Sequence, residues 1–119
     1  MNSCQIGDIG ETILLTELKM RGLSVAIPFG HLDPFDLIVV TLKGKCLKVQ
    51  VKSSKSAVGT GFTFYDVKNF DDNDVYAFLL LDRWVFLRSA QVKNKVTANN
   101  RITLNKKTAK VDNFSVFGL

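Results

Sequence analysis

Apolar and polar residues alternate with a period of two through Leu47-Lys48-Val49-Gln50-Val51-Lys52, which predicts a half-buried strand over Cys46 to Ser53. The odd positions face a core, and Lys48, Gln50 and Lys52 line the other face. Just upstream, Phe35 to Leu42 is a largely apolar run. Lys43-Gly44-Lys45 makes the turn between the two, so they form an antiparallel hairpin. Nearer the N-terminus, Leu14, Leu15 and Leu18 fall on one helical stripe and predict a helix from Asp8 to Arg21. Asp8 is its expected N-cap and Gly22 its C′ glycine. Leu23 to Pro28 reads as a strand and Phe29 to Pro34 as a loop. Beyond the hairpin, "SKSAVGTG" reads as a flexible loop and Phe62 to Tyr65 as a short strand. Val75 to Leu81 is a buried strand, Asp82-Arg83 a turn and Trp84 to Leu87 another strand. Ser89 is placed as the cap of a short helix reaching Asn94. Arg101 to Leu104 and Phe114 to Phe117 carry no decisive pattern. A leading helix followed by a mixed, largely antiparallel sheet is α/β by content.

The 119 residues suit one compact domain covering 1–119, and 46% hydrophobic content with nine Phe is enough for a packed core. The longest apolar run, Val75 to Leu81, is too short to span a bilayer. No signal peptide is visible in "MNSCQIGD", so a cytoplasmic protein without a membrane partner is expected. Cys4 and Cys46 lack metal-ligand spacing, and no disulfide is expected between them; Cys46 reads as a small apolar strand residue. Charge changes the picture more. The net charge is +5, and the eight basic residues between Arg83 and Val111 meet no acid there. A second acid-free interval, between Asp36 and Asp66, holds five lysines. Such segregation suits a polyanion partner, because Lys and Arg release counterions from a phosphate backbone. A solvated basic surface fits the charge alone equally well.

Four residues are candidates for chemistry. Glu11 sits on the inward stripe with Leu14, Leu15 and Leu18, and an inward carboxylate needs a partner or a metal. It also stands three residues after Asp8 and would complete a capping box. Asp36 opens the apolar strand "DLIVV", or is a strand-edge residue of the "DPFD" turn. A turn over Lys43 to Lys45 pairs Leu42 with Cys46, sets Asp36 opposite Lys52 and leaves Gln50 diagonal on the same face. A two-residue Lys43-Gly44 turn would place Asp36 on the other face unless a bulge intervenes. Weaker candidates are His31, in the loop beside these residues, and Ser53 and Ser54 at the strand end. Asp71-Asp72-Asn73-Asp74 lacks the glycine and closing glutamate of a calcium loop and reads as a turn. Tyr65, Tyr76 and Trp84 read as core residues rather than base-stacking ones.

A helical Glu, an Asp on one strand and Gln-x-Lys on the next resemble the PD-(D/E)XK nuclease superfamily, over roughly Gly7 to Ser54. The residues Gly7-Asp8-Ile9-Gly10-Glu11, Asp36 and Gln50-Val51-Lys52 resemble in particular its branch of group I intron homing endonucleases, which carries Gln-x-Lys. Here Phe35 stands between Pro34 and Asp36, and neutral Gln50 replaces an acid. The resemblance implies a restriction-endonuclease-like core with flanking helices. It implies a Mg²⁺- or Mn²⁺-dependent DNA endonuclease, acting on double-stranded DNA as a homo-oligomer (dimer or tetramer). Glu11, Asp36, Gln50 and Lys52 would be catalytic, the first three holding the metal. Lys55, Arg83, Arg88, Lys93 and Lys95 are the candidate DNA contacts. A Holliday-junction resolvase of the same fold, a restriction-type or toxin nuclease, and a non-catalytic DNA-binding module on this fold are the alternatives.

Overall fold

The computed structural model describes residues 3–29, 33–54 and 57–119, except for the side chains of residues 3, 4, 57 and 58. The opening helix, α1, spans Ser3–Met20 and so begins a turn and more before the expected Asp8. No helix-breaking proline interrupts Ser3 to Gly7, and Ile6 of this extra length lies in an apolar groove with Ile9, Leu79 and Leu81. Asp8 is therefore interior to the helix rather than its N-cap, its carbonyl accepting from the Thr12 hydroxyl at 2.8 Å, and no Asp8–Glu11 capping box exists. The other end follows the expectation: Gly22 is left-handed, and the Leu23 and Gly22 N–H groups bond back to the Leu18 and Lys19 carbonyls.

Strands β1 (Ser24–Ala26), β2 (Leu37–Val40), β3 (Cys46–Ser53), β6 (Val75–Leu80) and β7 (Arg83–Arg88) form a five-stranded sheet in that order. Every neighbouring pair is antiparallel except β3 and β6, which are parallel. The chain between those two strands contributes β4 (Ala57–Val58) and β5 (Gly61–Phe64). With β8 (Ile102–Asn105) these make a separate three-stranded sheet in the order β4-β5-β8. The segment read as a flexible loop thus includes β4. Helix α2 spans Ser89–Lys95, and a 3₁₀ helix covers Phe114–Phe117. Ser89 is the first helical residue of α2, not its cap. Its hydroxyl donates to the Asn73 carbonyl, and the Arg88 N–H is taken by the Gln91 side chain at 2.9 Å.

The central strand explains why "VYAFLL" is apolar at every position. Val75, Ala77 and Leu79 join one core with Leu14 and Leu18 of α1, the odd residues of β3, Trp84 and Phe117. Tyr76, Phe78 and Leu80 join a second core with Phe62 and Phe64 of β5, Ile102 and Leu104 of β8 and Val92 of α2. A strand covered on both faces has no polar face to alternate. The five-stranded sheet is therefore sandwiched between α1 on one side and the small sheet with α2 on the other. Of the three aromatic candidates, Tyr76 and Trp84 are core residues and Tyr65 is exposed. Cys46, read as apolar strand filling, is an exposed free thiol at the start of β3.

The acidic piece before β6 is structural. Asp74 exchanges bonds with the Lys48 backbone, its carboxylate accepting the Lys48 N–H at 2.9 Å. Asn73 is buried and its amide donates to the Pro34 and Asn69 carbonyls at 2.9 and 3.1 Å, tying this turn to the segment that leads into β2. Asn73→Ala leaves both carbonyls without that donor and is expected to cost about 1–3 kcal/mol, read as a lower urea midpoint. An unchanged midpoint would mean water replaces the amide at no loss.

Candidate active site

The hairpin register differs by one step from the expected one. Val40 pairs with Cys46 and Leu37 with Val49, and Thr41 and Lys45 continue the pairing with a 2.8 Å bond from the Thr41 N–H to the Lys45 carbonyl. The loop is therefore Leu42-Lys43-Gly44, not Lys43 to Lys45. Gly44 must close it, because its φ of 84° belongs to the left-handed last position of a three-residue hairpin loop. The parity of the loop is unchanged, so Asp36 keeps the face shared with Gln50 and Lys52. The row of Asp36 now meets Gln50, and Lys52 lies one same-face position further on.

This register makes the site. β2 stops at Leu37, while β3 runs on from Val49 to Ser53 with only β6 beside it. Asp36 stands at that step. Its N–H still bonds the Val49 carbonyl at 2.9 Å, and its carboxylate takes the Val51 N–H at 2.8 Å. The side chain thus satisfies the backbone donor that a longer β2 would have bonded. The same oxygen accepts from the Gln50 amide at 2.8 Å.

Glu11 reaches this point from α1. The helix can lie close against β3 because position 10 is glycine: a Cβ there would overlap the Ser53 hydroxyl. Glu11 is partly buried at the rim rather than in the core, and its carboxyl is hydrogen-bonded to Asp36. Burial first, then the Asp36 charge, push its pKa from 4.5 up to about 8. Two carboxyl groups sharing a proton, beside an amide, are a hard-oxygen donor set, and a divalent cation would replace that proton. Among the described residues no group of three or more His, Cys, Asp or Glu forms a metal cluster, so any ion depends on two carboxylates plus neutral oxygens. Lys52 is partly buried, and its ammonium donates to the Asp66 carbonyl at 3.0 Å. Burial lowers its pKa against the opposing pull of Asp36 and Asp66.

Glu11, Asp36, Gln50 and Lys52 are therefore brought together. The candidate DNA contacts are not one cluster. Arg83 is ion-paired with Asp112 at 2.8 Å at one end of β7, and Arg88 lies at the other end, in a groove with Lys43 and Lys45. Lys93 and Lys95 are exposed on α2. Lys55 and His31 lie outside the described residues. Ser53 faces Gly10 of α1, and the Ser54 hydroxyl donates to the Thr63 carbonyl at 3.0 Å.

Two features went unread in the sequence. Asp8 and Asp33 line the same cleft as Glu11 and Asp36, a space of about 360 Å³ walled also by Ile27, Pro28 and Phe35. Asp8 had a legible signal, standing one helical turn from Glu11 on the same face. The Asp66 carbonyl that holds Lys52 had none, since every residue carries a carbonyl and only the fold brings this one near.

The profile of the PD-(D/E)XK endonucleases matches residues 1–76, more than half of the chain and all four converging residues. The chain belongs to the PD-(D/E)XK endonuclease family. No curated protein matches the sequence significantly. Two solved structures share the fold of this family member. The bacterial homing endonuclease I-Ssp6803I superposes with a TM-score of 0.73 at 21% identity, covering 98% of this chain and 85% of that one. The Holliday junction resolvase Hjc of the archaeal hyperthermophile Archaeoglobus fulgidus superposes with a TM-score of 0.57 at 17% identity, covering 94% and 87%. The fold is restriction-endonuclease-like, as the resemblance implied. No described helix is long and apolar enough to cross a membrane.

The raised pKa of Glu11 in this endonuclease fold has a measurable consequence. Between pH 4.5 and about 8 the folded protein keeps a proton that the unfolded chain has released, so stability falls as pH rises through that window. Solvent around the half-exposed group screens the effect, leaving about 1–2 kcal/mol. Without divalent cations, Glu11→Gln is expected to unfold at a higher urea concentration than the wild type at pH 8.5 and at about the same concentration at pH 4. A constant difference across both pH values would show that Glu11 ionises normally.

Proposed function

We propose that the protein is a divalent-metal-dependent endodeoxyribonuclease that hydrolyses phosphodiester bonds in duplex DNA, of the homing type. The observation that carries this reading is the meeting of Glu11, Asp36, Gln50 and Lys52 at the step where β2 ends, with Asp36 locked to the Gln50 amide and the Val51 N–H. The Gln-x-Lys pair and the likeness to a homing endonuclease support the homing type.

Glu11, Asp36 and the Gln50 amide oxygen would hold Mg²⁺ or Mn²⁺. When bound, such an ion polarises the scissile phosphate and lowers the pKa of a coordinated water. The protein supplies the rest. Asp36 is fixed by two donors before any ligand arrives, so its orientation costs nothing at the moment of reaction. Gln50 is held in turn by the bond its amide NH2 donates to Asp36, which keeps the side chain beside that carboxylate. Lys52 carries an ammonium on the same strand, held by the Asp66 carbonyl, to oppose the charge that grows on the phosphoryl oxygens or to orient the attacking water. One such site cuts one strand, so cleavage of both strands calls for a homo-oligomer.

The test is nicking of supercoiled plasmids carrying a library of duplex sequences, with Mg²⁺ and with EDTA. Metal-dependent nicking is the expected result. Cleavage confined to four-way junctions would replace the homing reading by that of a resolvase, a reading that the likeness to Hjc supports at the level of fold. Binding without cleavage of any DNA would leave a non-catalytic module and sink the enzyme.

A further inference from the structure

Strands β5 and β8 pair antiparallel, with Gly61 opposite Asn105, Thr63 opposite Thr103 and Phe64 opposite Ile102. Their inward residues, Phe62, Phe64, Ile102 and Leu104, fill the second core. Their outward residues form a polar ladder. The Thr63 and Thr103 hydroxyls are hydrogen-bonded to each other at 3.0 Å. One rung further on, the Arg101 guanidinium lies over the exposed Tyr65 ring, 5.0 Å from its centroid. Among the described residues β4 pairs with Gly61 and Phe62, and β8 pairs with β5 along Gly61 to Phe64.

We infer that this outward face, with Arg101, Tyr65, Thr63, Thr103 and Asn105, is a base-reading surface that enters the major groove of duplex DNA beside the cleavage site. The inference rests on the endonuclease reading for its partner. Three observations carry it. First, shape: the major groove is about 12 Å wide and admits a pair of β-strands, and β5 and β8 are such a pair with β8 at the edge of its sheet. Second, continuity: the ribbon is tied to the catalytic strand at two points, by the Ser54 hydroxyl on the Thr63 carbonyl and by the Lys52 ammonium on the Asp66 carbonyl, next to Tyr65. Third, chemistry: the ladder offers hydroxyl, amide and guanidinium groups in one row, and exposed Lys107 and Lys110 follow on the chain to meet phosphates. Arg101 has no ion pair among the described residues, in contrast to Arg83 and Lys106, which are paired with Asp112 and Asp82. The cation–π contact with Tyr65 keeps its guanidinium on this face, the group best suited to bidentate recognition of guanine. None of these residues is among the candidate contacts read from the sequence.

The test separates base reading from catalysis. Bound sequences are selected from a random 40-base-pair duplex library in EDTA, and plasmid nicking is measured separately with Mg²⁺. Wild type is expected to enrich a sequence pattern. Arg101→Ala and Arg101→Lys are expected to flatten that pattern, by about tenfold in discrimination, at adjacent base pairs on one side of the cut. Arg101→Lys should keep most of the affinity, because it keeps the charge. Thr103→Val should weaken discrimination at a neighbouring pair, and Tyr65→Phe, which keeps the ring, should change little. A pattern unchanged in the Arg101 variants, a uniform loss of binding with the pattern intact, or no enrichment by wild type would each overturn the inference. An intact, Arg101-dependent pattern with no nicking by wild type would overturn the endonuclease reading and leave the ribbon standing.

Discussion

Replacing Asp36 with asparagine is expected to lower metal-dependent nicking by about 10³-fold or more, equivalent to roughly 4 kcal/mol of lost transition-state stabilisation. Asparagine rather than alanine isolates the charge. The Asp36 carboxylate accepts the Val51 N–H and the Gln50 amide where β2 has ended, so alanine would orphan a backbone donor as well. Loss of that bond alone costs about 1–3 kcal/mol of stability. The asparagine carbonyl can still accept from Val51, and the proton shared with Glu11 loses its charged partner. The variant should therefore fold with a urea midpoint near that of wild type and bind duplex DNA in EDTA with unchanged affinity. Nicking within a few-fold of wild type would exclude Asp36 from the chemistry. A large fall in the midpoint would assign it mainly to the fold.

Lys52→Met is expected to reduce nicking by about 10²- to 10³-fold, the scale for removing one charge-stabilising donor. The apparent KM for plasmid should change little. Stability should be held or slightly raised. The Lys52 ammonium is partly desolvated, which lowers its pKa, and it donates to the Asp66 carbonyl. Methionine keeps the length and removes that burden. Lys52→Arg keeps the charge and should recover part of the rate. The two variants therefore distinguish an electrostatic role from simple packing. Equal loss in both would point to the shape of the ammonium site, and no loss in either would remove Lys52 from the mechanism.

Much of the frame was legible in local patterns. β3 shows as a period of two, its bounds agree with the structure, and its odd residues enter one core. β6 shows as an unbroken apolar run, as a strand covered on both faces must. Local signals failed where a distant contact decided the outcome. Asp8 has the chemistry of an N-cap, yet the helix begins before it, and Ile6 of the added turn lies in a groove beside Leu79 and Leu81, far away in sequence. Ser89 is likewise a good cap by type, yet its hydroxyl is taken by the Asn73 carbonyl. Charge patterning was poor about which basic residues stand unpaired. Arg83 and Lys106 both lie in basic stretches, but their acids, Asp112 and Asp82, come from elsewhere on the chain.

The sequence by itself determined the identities and the order of Glu11, Asp36, Gln50 and Lys52. It also determined the alternation that puts Gln50 and Lys52 on one strand face, because a period of two is a property of the extended backbone. Only the tertiary structure decided that these residues meet. Gly44 chose the hairpin register that set Asp36 level with Gln50, and the bare backbone of Gly10 let α1 come close enough to β3 for Glu11 to reach Asp36. The pKa of Glu11 and the hold on Lys52 are likewise products of the fold, since burial, a neighbouring carboxylate and the Asp66 carbonyl exist around them only once the layers have packed.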